Sequence, residues 1–181
     1  MIGCFSLARE TFDIKFAKKK LATTKRIIKK LNKNINFFDE LITNDEIGKS
    51  ALKHFENSKC TKFIVIQSTF TDAKFISSFV KKFKKPVLFI SFKEKRSGGR
   101  LRLNSLCGVN LGLHALIKNK FYSNFIIFTA EDRSISNEIL KFIKNKNNFT
   151  KKNYLRKINS KKINKKIIKF KKPNLGLIGE R

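Results

Sequence analysis

Hydrophobic positions follow two spacings along the chain, and the two alternate. Short, almost continuous apolar runs indicate buried strands, and each is followed by a stretch in which apolar residues recur every three to four positions, as on one face of a helix. The clearest helical face runs from Ala17 to Leu31. The predicted strands are residues 2–7, 34–38, 62–67, 86–92 and 124–129. Because strand and helix alternate five times, the sequence predicts an α/β fold: an open parallel five-stranded sheet in the order 2-1-3-4-5, in a flavodoxin/Rossmann-like three-layer sandwich.

Two of the predicted helices carry more specific signals. Thr43 and Glu46 have the spacing of a capping box, so Thr43 is expected to begin the second helix. In the fourth helix Cys107 and His114 share a face, but seven residues of helix separate them by roughly 10 Å, too far for a nucleophile–base pair. Cys107 is interpreted as a packing residue at the helix start, and His114 as a partly buried core histidine.

Three polar clusters each follow a predicted strand directly: residues 9–13, 68–72 and 96–104. The carboxyl ends of parallel strands lie at one edge of a sheet, where ligands bind in such folds, so the three clusters are expected to converge. The candidate binding residues are Arg9, Glu10, Thr69, Phe70, Asp72, Gly98, Gly99, Arg100, Arg102 and Asn104.

The third cluster, residues 96–104, differs most from the rest of the chain because three arginines surround a glycine pair. Gly98 and Gly99 permit positive φ and a close backbone approach. If the segment is extended, Arg100 and Arg102 point to one side, while Leu101 and Leu103 turn to the core. The alternative is a glycine turn with solvated arginines.

The sequence lacks the common motifs that bind dinucleotides or nucleotide phosphates. The first strand is not followed by Gly-x-Gly-x-x-Gly, and no phosphate-binding Gly-x-x-x-x-Gly-Lys-Ser/Thr occurs. Glu10 and Asp72 could perform acid–base chemistry if their loops meet. The alternative is that each carboxylate pairs with an arginine or caps a helix.

Composition adds a rival hypothesis. The formal net charge of the 181 residues is +29, which suggests a basic nucleic-acid-binding module. However, lysine, asparagine, isoleucine and phenylalanine share A- and T-rich codons, which explains much of the excess, so no specific nucleic-acid partner is predicted. The three cysteines are widely spaced and indicate reduced thiols in the cytoplasm. No apolar segment reaches the roughly 18 residues of a membrane span, so no membrane partner is expected.

The composition changes towards the end of the chain. Residues 141–172 contain 14 basic and no acidic side chains. The predicted organisation is therefore a folded domain over residues 1–140, a basic linker or surface segment over 141–173, and a new strand over 174–181. That last strand suggests the front part of a longer protein.

Residues 7–13, 67–73 and 98–108 together resemble the N-terminal domain of the L-fucose/L-arabinose isomerase family, and residues 176–181 resemble the first strand of its second domain. The resemblance implies an aldose–ketose isomerase of carbohydrate metabolism that uses a divalent metal, commonly manganese. It implies that the metal ligands lie in later domains, so this chain holds no catalytic or metal-binding residue and is inactive alone. A Rossmann-like N-terminal domain would help to close the sugar site, often that of a neighbouring subunit in a homo-oligomer.

The arginines of residues 96–104 bear on which sugar is bound. A neutral sugar needs hydroxyl partners, whereas arginine grips anionic groups through two parallel hydrogen bonds. The sequence therefore suggests a phosphorylated, sulfonated or carboxylated sugar. The competing hypothesis is that Arg100 and Arg102 only pair with Glu10 or Asp72.

Overall fold

The structure is a computed structural model that describes residues 1–94, 98–119, 124–128 and 135–144, with the side chains of all but 124–128. The predicted basic segment beyond residue 144 and the predicted strand at 174–181 lie outside these ranges. The elements are β1 (Ile2–Leu7), α1 (Ile14–Leu31), β2 (Ile35–Ile42), α2 (Asp45–Glu56), β3 (Lys62–Gln67), α3 (Lys74–Phe83), β4 (Val87–Phe92), α4 (Ser105–Lys118), β5 (Asn124–Phe128) and α5 (Ile135–Lys144).

The strands form one parallel sheet in the order β2-β1-β3-β4-β5. β1 lies inside the sheet and is buried along its whole length. The pairing of β1 with β2 is irregular, because Cys4 pairs with Phe37 whereas Ser6 pairs with Leu41. The predicted α/β class is confirmed.

Helices cover both faces of the sheet. On one face α1 and α5 pack through Ala17, Leu21, Ile28, Ile139 and Phe142. On the other face α2, α3 and α4 pack over a core that contains many of the phenylalanines. Removing such apolar side chains from water is the main favourable contribution to folding. The sheet is therefore the middle layer of three.

The phenylalanine core places a strict demand on one glycine of β1. The Phe63 and Phe79 rings meet edge to face with centroids 4.7 Å apart. A Cβ atom on Gly3 would lie 2.3 Å from the Phe63 ring. Any larger residue at position 3 would therefore displace Phe63 from this cluster.

Three predicted boundaries need correction. The capping box at Thr43 is wrong, because α2 is capped by Asn44, whose side-chain oxygen accepts a 2.9 Å hydrogen bond from the Ile47 N–H. β2 extends to Ile42 rather than ending at Phe38, which leaves Thr43 in the connection. α5 runs to Lys144, into the segment predicted as basic linker, because Phe142 is buried against α1 and the sheet.

The cysteines differ in their surroundings. Cys4 and Cys60 are buried free thiols, whereas Cys107 is an exposed one. His114 on the same helix is also exposed, so the prediction that Cys107 and His114 pack inside is wrong. Burial raises the pKa of Cys4 to about 12, so this thiol stays protonated at neutral pH. Within the described ranges no helix is long and apolar enough to span a membrane.

Candidate functional site

The loops after β1, β3 and β4 are joined by hydrogen bonds from backbone N–H groups at the carboxyl edge of the sheet. The Arg9 N–H donates to Thr69 Oγ1 over 2.7 Å, which ties the first loop to the second. The Phe70 N–H donates to the Leu103 carbonyl over 2.7 Å, which ties the second loop to the third. The structure therefore brings the three predicted polar clusters into contact. We call these three loops, residues 8–13, 68–73 and 98–104, the carboxyl edge.

Arg9 lies at the centre of the carboxyl edge and is paired. Its Nη2 donates a 2.9 Å hydrogen bond to Asp72 Oδ2, and both side chains remain partly exposed. The guanidinium also lies 5.5 Å from the Phe70 ring centroid. Asp72 thus pairs with an arginine, the alternative left open from the sequence, while Glu10 accepts a 3.2 Å hydrogen bond from Thr43 Oγ1.

Arg102 is also neutralised, but by a residue that the sequence-based hypothesis did not include. Its Nε and Nη2 both donate to Asp13 Oδ2, at 3.0 and 2.6 Å. The guanidinium stacks 3.9 Å from the ring centroid of Phe16. The competing hypothesis that Arg102 pairs with Glu10 or Asp72 is wrong, because its guanidinium pairs with Asp13 at the start of α1.

Asp13 serves two partners at once. Its Oδ1 accepts a 2.8 Å hydrogen bond from the Phe16 N–H and so caps α1. This backbone hydrogen bond and, next, the hydrogen bonds from Arg102 hold the pKa of the Asp13 carboxyl below its ordinary range. The carboxylate is therefore charged at neutral pH and links α1 to the third loop.

Arg100 differs from the other two arginines. Among the described residues it forms no ion pair, and its Nη2 is 3.5 Å from the Thr11 carbonyl oxygen. Its side chain is exposed. The competing hypothesis that Arg100 pairs with Glu10 or Asp72 is therefore also wrong, and the positive charge of Arg100 is available at the edge. Arg96 lies outside the described residues.

The glycine pair determines the shape of the third loop. Gly98 and Gly99 adopt φ of 69° and 79°, a left-handed region that other residues rarely occupy. A Cβ atom on either would meet nothing within 4 Å, so the backbone turn and not crowding requires glycine. Because the chain turns here instead of running extended, Leu101 is 47% exposed, contrary to prediction, while Leu103 is buried as expected.

Sequence reasoning missed Glu94, which anchors the third loop to the end of β4. Glu94 Oε1 accepts hydrogen bonds from the Leu103 and Asn104 N–H groups, at 2.7 and 2.8 Å. Asn104, predicted as a binding residue, adopts the left-handed conformation before α4, and its side chain makes no capping hydrogen bond. A lone glutamate after a strand carries no sequence signal for this role.

The Gln67 side chain, which the sequence analysis also did not single out, supports the loop after β3. The buried Gln67 side chain donates 2.8 Å hydrogen bonds to the Thr69 carbonyl and to Thr71 Oγ1. Ser105 Oγ donates to the Gln67 carbonyl and accepts a 2.9 Å hydrogen bond from the Phe92 N–H. These buried contacts hold the ends of β3, β4 and α4 in one arrangement.

A cleft of about 150 Å³ opens beside Arg9, between the carboxyl ends of β1 and β2 and the start of α3. In this cleft Lys74 pairs with Asp45, which lowers the pKa of Asp45 and raises that of Lys74. The lining therefore presents two ion pairs, Arg9–Asp72 and Lys74–Asp45, with no net charge. Donors and acceptors without net charge suit a hydroxyl-rich ligand. The lining residues are Leu7, Ala8, Arg9, Ile42, Thr43, Asn44, Asp45, Thr71, Asp72, Lys74 and Phe75.

The same edge offers a poor set of metal ligands. In the part of the chain that the structure describes, no three His, Cys, Asp or Glu side chains are grouped so that they could hold a metal ion. The carboxylates of the carboxyl edge are instead used by arginine, threonine and backbone N–H groups.

The sequence of this chain matches a known protein family. Residues 3–147 match the family described as fucose/sulfoquinovose isomerase, N-terminal domain. The chain belongs to this family. The resemblance drawn from the three sequence motifs is confirmed, and all three loops of the carboxyl edge fall inside the matched range.

Two curated proteins are similar to this chain in sequence. A sulfoquinovose isomerase from Priestia megaterium is 26% identical over 137 residues, which are 76% of this chain and 31% of that protein. A sulfoquinovose isomerase from Alkalicoccus urumqiensis is 36% identical over 77 residues, which are 42% of this chain and 17% of that protein. The chain thus spans less than a third of the length of these relatives.

Proposed function

We propose that this domain forms the substrate-side wall of an aldose–ketose isomerase and that the sugar carries a sulfonate. The observation that carries the proposal is the family match over residues 3–147, which includes the whole carboxyl edge. The similar relatives are named sulfoquinovose isomerases, after a sugar with a sulfonate group. An anionic sugar agrees with the arginines of the third loop.

The paired and unpaired arginines of the carboxyl edge have different parts in this proposal. Arg9 and Asp72 neutralise each other and offer donors and acceptors to sugar hydroxyls. Arg100 makes no ion pair within the described ranges and can give two parallel, charge-assisted hydrogen bonds to a sulfonate. Arg102 is held by Asp13 and acts on the ligand only by shaping the loop.

The domain would bind and orient the sugar and exclude water, while the chemical step would take place on domains beyond this chain. The isomerase family that the sequence motifs resemble implies a divalent metal such as manganese, which would supply the Lewis-acid chemistry. The described residues do not form a ligand set for such a metal, so we propose that its ligands come from the other domains. We therefore expect the chain to be inactive alone and to close a site supplied by other domains, within a homo-oligomer.

A titration monitored by ¹⁵N–¹H NMR tests the binding role of Arg100. Sulfoquinovose at millimolar concentration should shift the amide signals of residues 9–13 and 98–104, and glucose should shift them less. Arg100→Lys keeps the charge but loses the planar fork. Because hydrogen bonds to charged groups contribute about 1.5–3 kcal/mol, it should weaken sulfoquinovose binding roughly tenfold or more. Glucose binding and the melting temperature should not change.

Arg26→Lys, an exposed substitution on α1 away from the carboxyl edge, is the matched control and should leave both sugars unaffected. Equal losses for both sugars together with a lower melting temperature would show that Arg100 is structural. Absence of any shift at the carboxyl edge would refute the substrate-side assignment. Aldose–ketose conversion by the purified chain with manganese would contradict the expected lack of activity.

A further inference from the structure

A second cleft, of about 430 Å³, lies between the end of α1 and the first part of β2. Pockets that bind small molecules are commonly about 300–1,000 Å³ in volume. β2 is an edge strand that pairs only with β1. We call this space the α1–β2 cleft. It is lined by Lys29, Asn32, Lys33, Ile35, Phe37 and Asp39.

The one carboxylate in this lining is already neutralised within the protein. Lys25 Nζ donates a 2.9 Å hydrogen bond to Asp39 Oδ1 and a 3.1 Å hydrogen bond to the Asp39 carbonyl. The Lys25 side chain is only 15% exposed, whereas that of Asp39 is 78% exposed. Asp39 therefore does not compensate the other lysines of the cleft.

Lys29 and Lys33 are exposed and make no ion pair within the described ranges. The Lys29 ammonium lies 5.1 Å from the ring centroid of Phe37, and the face of an aromatic ring attracts a cation. Phe37 itself packs against the core between α1 and the sheet. The cleft therefore has a fixed aromatic floor, which holds one of its two uncompensated positive charges.

Asn32 adds an oriented donor to the α1–β2 cleft. Its Oδ1 accepts a 2.7 Å hydrogen bond from the Asn34 N–H, and its backbone N–H donates to the Ile28 carbonyl at the end of α1. The amide is thus held on both sides. Its Nδ2 group has no partner in the described chain and can donate to a ligand.

Lysines in the last turn of a helix often do no more than complement the helix dipole. Lys30 fits that explanation, because it lies in the last turn of α1 and outside the cleft. Lys29 does not, because its ammonium lies over a ring of the next strand. Lys33 does not either, since it follows the end of the helix.

We propose that the α1–β2 cleft binds the phosphate group of a small phosphate monoester. Lys29, Lys33 and Asn32 Nδ2 offer donors, while the acceptors Asp39 and Asn32 Oδ1 are occupied. A phosphate monoester only accepts, and it carries a charge of about −1.5 to −2 at neutral pH. That charge matches the two free ammonium groups. The inference is independent of the sugar-binding role of the carboxyl edge.

A neutral sugar or a nucleic acid fits this cleft less well. Hydroxyl groups also need acceptors, which the cleft at Arg9 provides through its ion pairs and the α1–β2 cleft does not. A nucleic acid would use lysines all along α1, such as Lys18 and Lys30, because its contacts with phosphates are spread over a surface.

Titration of the 181-residue chain with inorganic phosphate, followed by ¹⁵N–¹H NMR at constant ionic strength, tests the proposal. The amide signals of residues 29–39 should shift and saturate. Lys29→Gln and Lys33→Gln should each weaken binding roughly tenfold, because each removes a charged donor. Lys30→Gln, which loses the same charge beside the cleft, is the matched control and should not change the affinity.

Asp39→Asn should have the opposite effect. It removes the carboxylate nearest to the bound anion and frees the charge of Lys25, so phosphate should bind severalfold more tightly. Glu40→Gln makes the same change of charge at the next residue, which is outside the lining, and should leave the affinity unchanged. The dispersion of the NMR spectrum checks that every variant is folded.

Three results would overturn the proposal. The first is an equal loss of affinity in Lys29→Gln and Lys30→Gln, which would show that phosphate responds only to diffuse surface charge. The second is phosphate affinity that does not rise in Asp39→Asn. The third comes from titration with a single-stranded oligonucleotide: shifts confined to residues 29–39, with none from phosphate, would make the cleft a nucleic-acid contact.

Discussion

Asp13 makes contacts to two segments at once, since its carboxylate accepts hydrogen bonds from the Phe16 N–H and from the Arg102 guanidinium. The Asp13 N–H also donates to the Arg102 carbonyl over 3.1 Å. One residue therefore joins the start of α1 to the third loop of the carboxyl edge. This link and the contact of Arg100 with the Thr11 carbonyl together attach the segment that carries Arg100 to the first loop.

Asp13→Asn tests the charge in this link, because asparagine keeps the helix cap but loses the charge. The folded-state pKa of Asp13 is lowered, so its stabilising effect is present above the unfolded pKa, about pH 4. It is lost as the pH falls through the folded pKa. The variant should melt a few degrees below the native protein at pH 7, and the difference should vanish at strongly acidic pH.

Melting curves by circular dichroism between neutral and acidic pH measure this effect. Glu40→Gln is the control, because Glu40 is exposed and forms no ion pair within the described ranges. This substitution should barely change the melting temperature. A difference between native protein and Asp13→Asn that persists at low pH would show that the charge of Asp13 is not responsible.

The connection from β4 to α4 depends on Glu94 in a similar way. Its carboxylate accepts from two consecutive N–H groups at the end of the third loop. The Asn104 side chain makes no capping hydrogen bond to the start of α4. The Glu94 carboxylate instead provides the side-chain acceptor in this connection. The start of α4 is thus set by a side chain that comes ten residues earlier in the chain.

Glu94→Ala should open this connection while leaving the sheet intact. A hydrogen bond to a charged acceptor contributes about 1.5–3 kcal/mol, so the Leu103 and Asn104 amides should exchange with solvent roughly ten- to a hundredfold faster. Hydrogen exchange measured by NMR checks this, and Glu94→Gln, which retains an acceptor oxygen, should show a smaller effect. Unchanged exchange of both amides in the alanine variant would mean that the loop is held by other contacts.

The net charge of +29 concerns the molecule as a whole and keeps the nucleic-acid hypothesis open. Lysine-driven binding releases counterions and weakens steeply as salt rises, with little preference for sequence. The deletion that tests it should begin after Lys144, because Phe142 is part of the core. Removing residues 145–172 should reduce the affinity for DNA and RNA several-fold and flatten its salt dependence.

Fluorescence anisotropy with labelled oligonucleotides at several salt concentrations measures this binding. A scrambled sequence is the control for specificity. Selective binding that survives the deletion would favour a nucleic-acid-binding module over the isomerase-type domain.

The spacing of hydrophobic residues was enough to predict the fold class and most of its helices and strands. Each strand or helix must bury one apolar side, so its hydrophobic residues recur with the period of that element. β3 runs from Lys62 to Gln67, as the apolar run indicated, and α1 buries the expected face. The motifs also carried enough specificity to predict the family. Polar residues after successive strands were correctly expected to meet at one edge, since parallel strands all end there.

Tertiary structure decided which partner each polar group took. Arg102 pairs with Asp13 and not with Glu10 or Asp72, because ion pairing depends on distances of a few ångströms that no spacing along the chain encodes. The exposure of Leu101, Cys107 and His114 likewise followed from a glycine turn and from the contacts of Gly108 and Gly112 with the sheet. The period of hydrophobic residues shows that a helix or strand has an apolar side. Only the packing of that element in the folded protein determines which of its remaining residues face water.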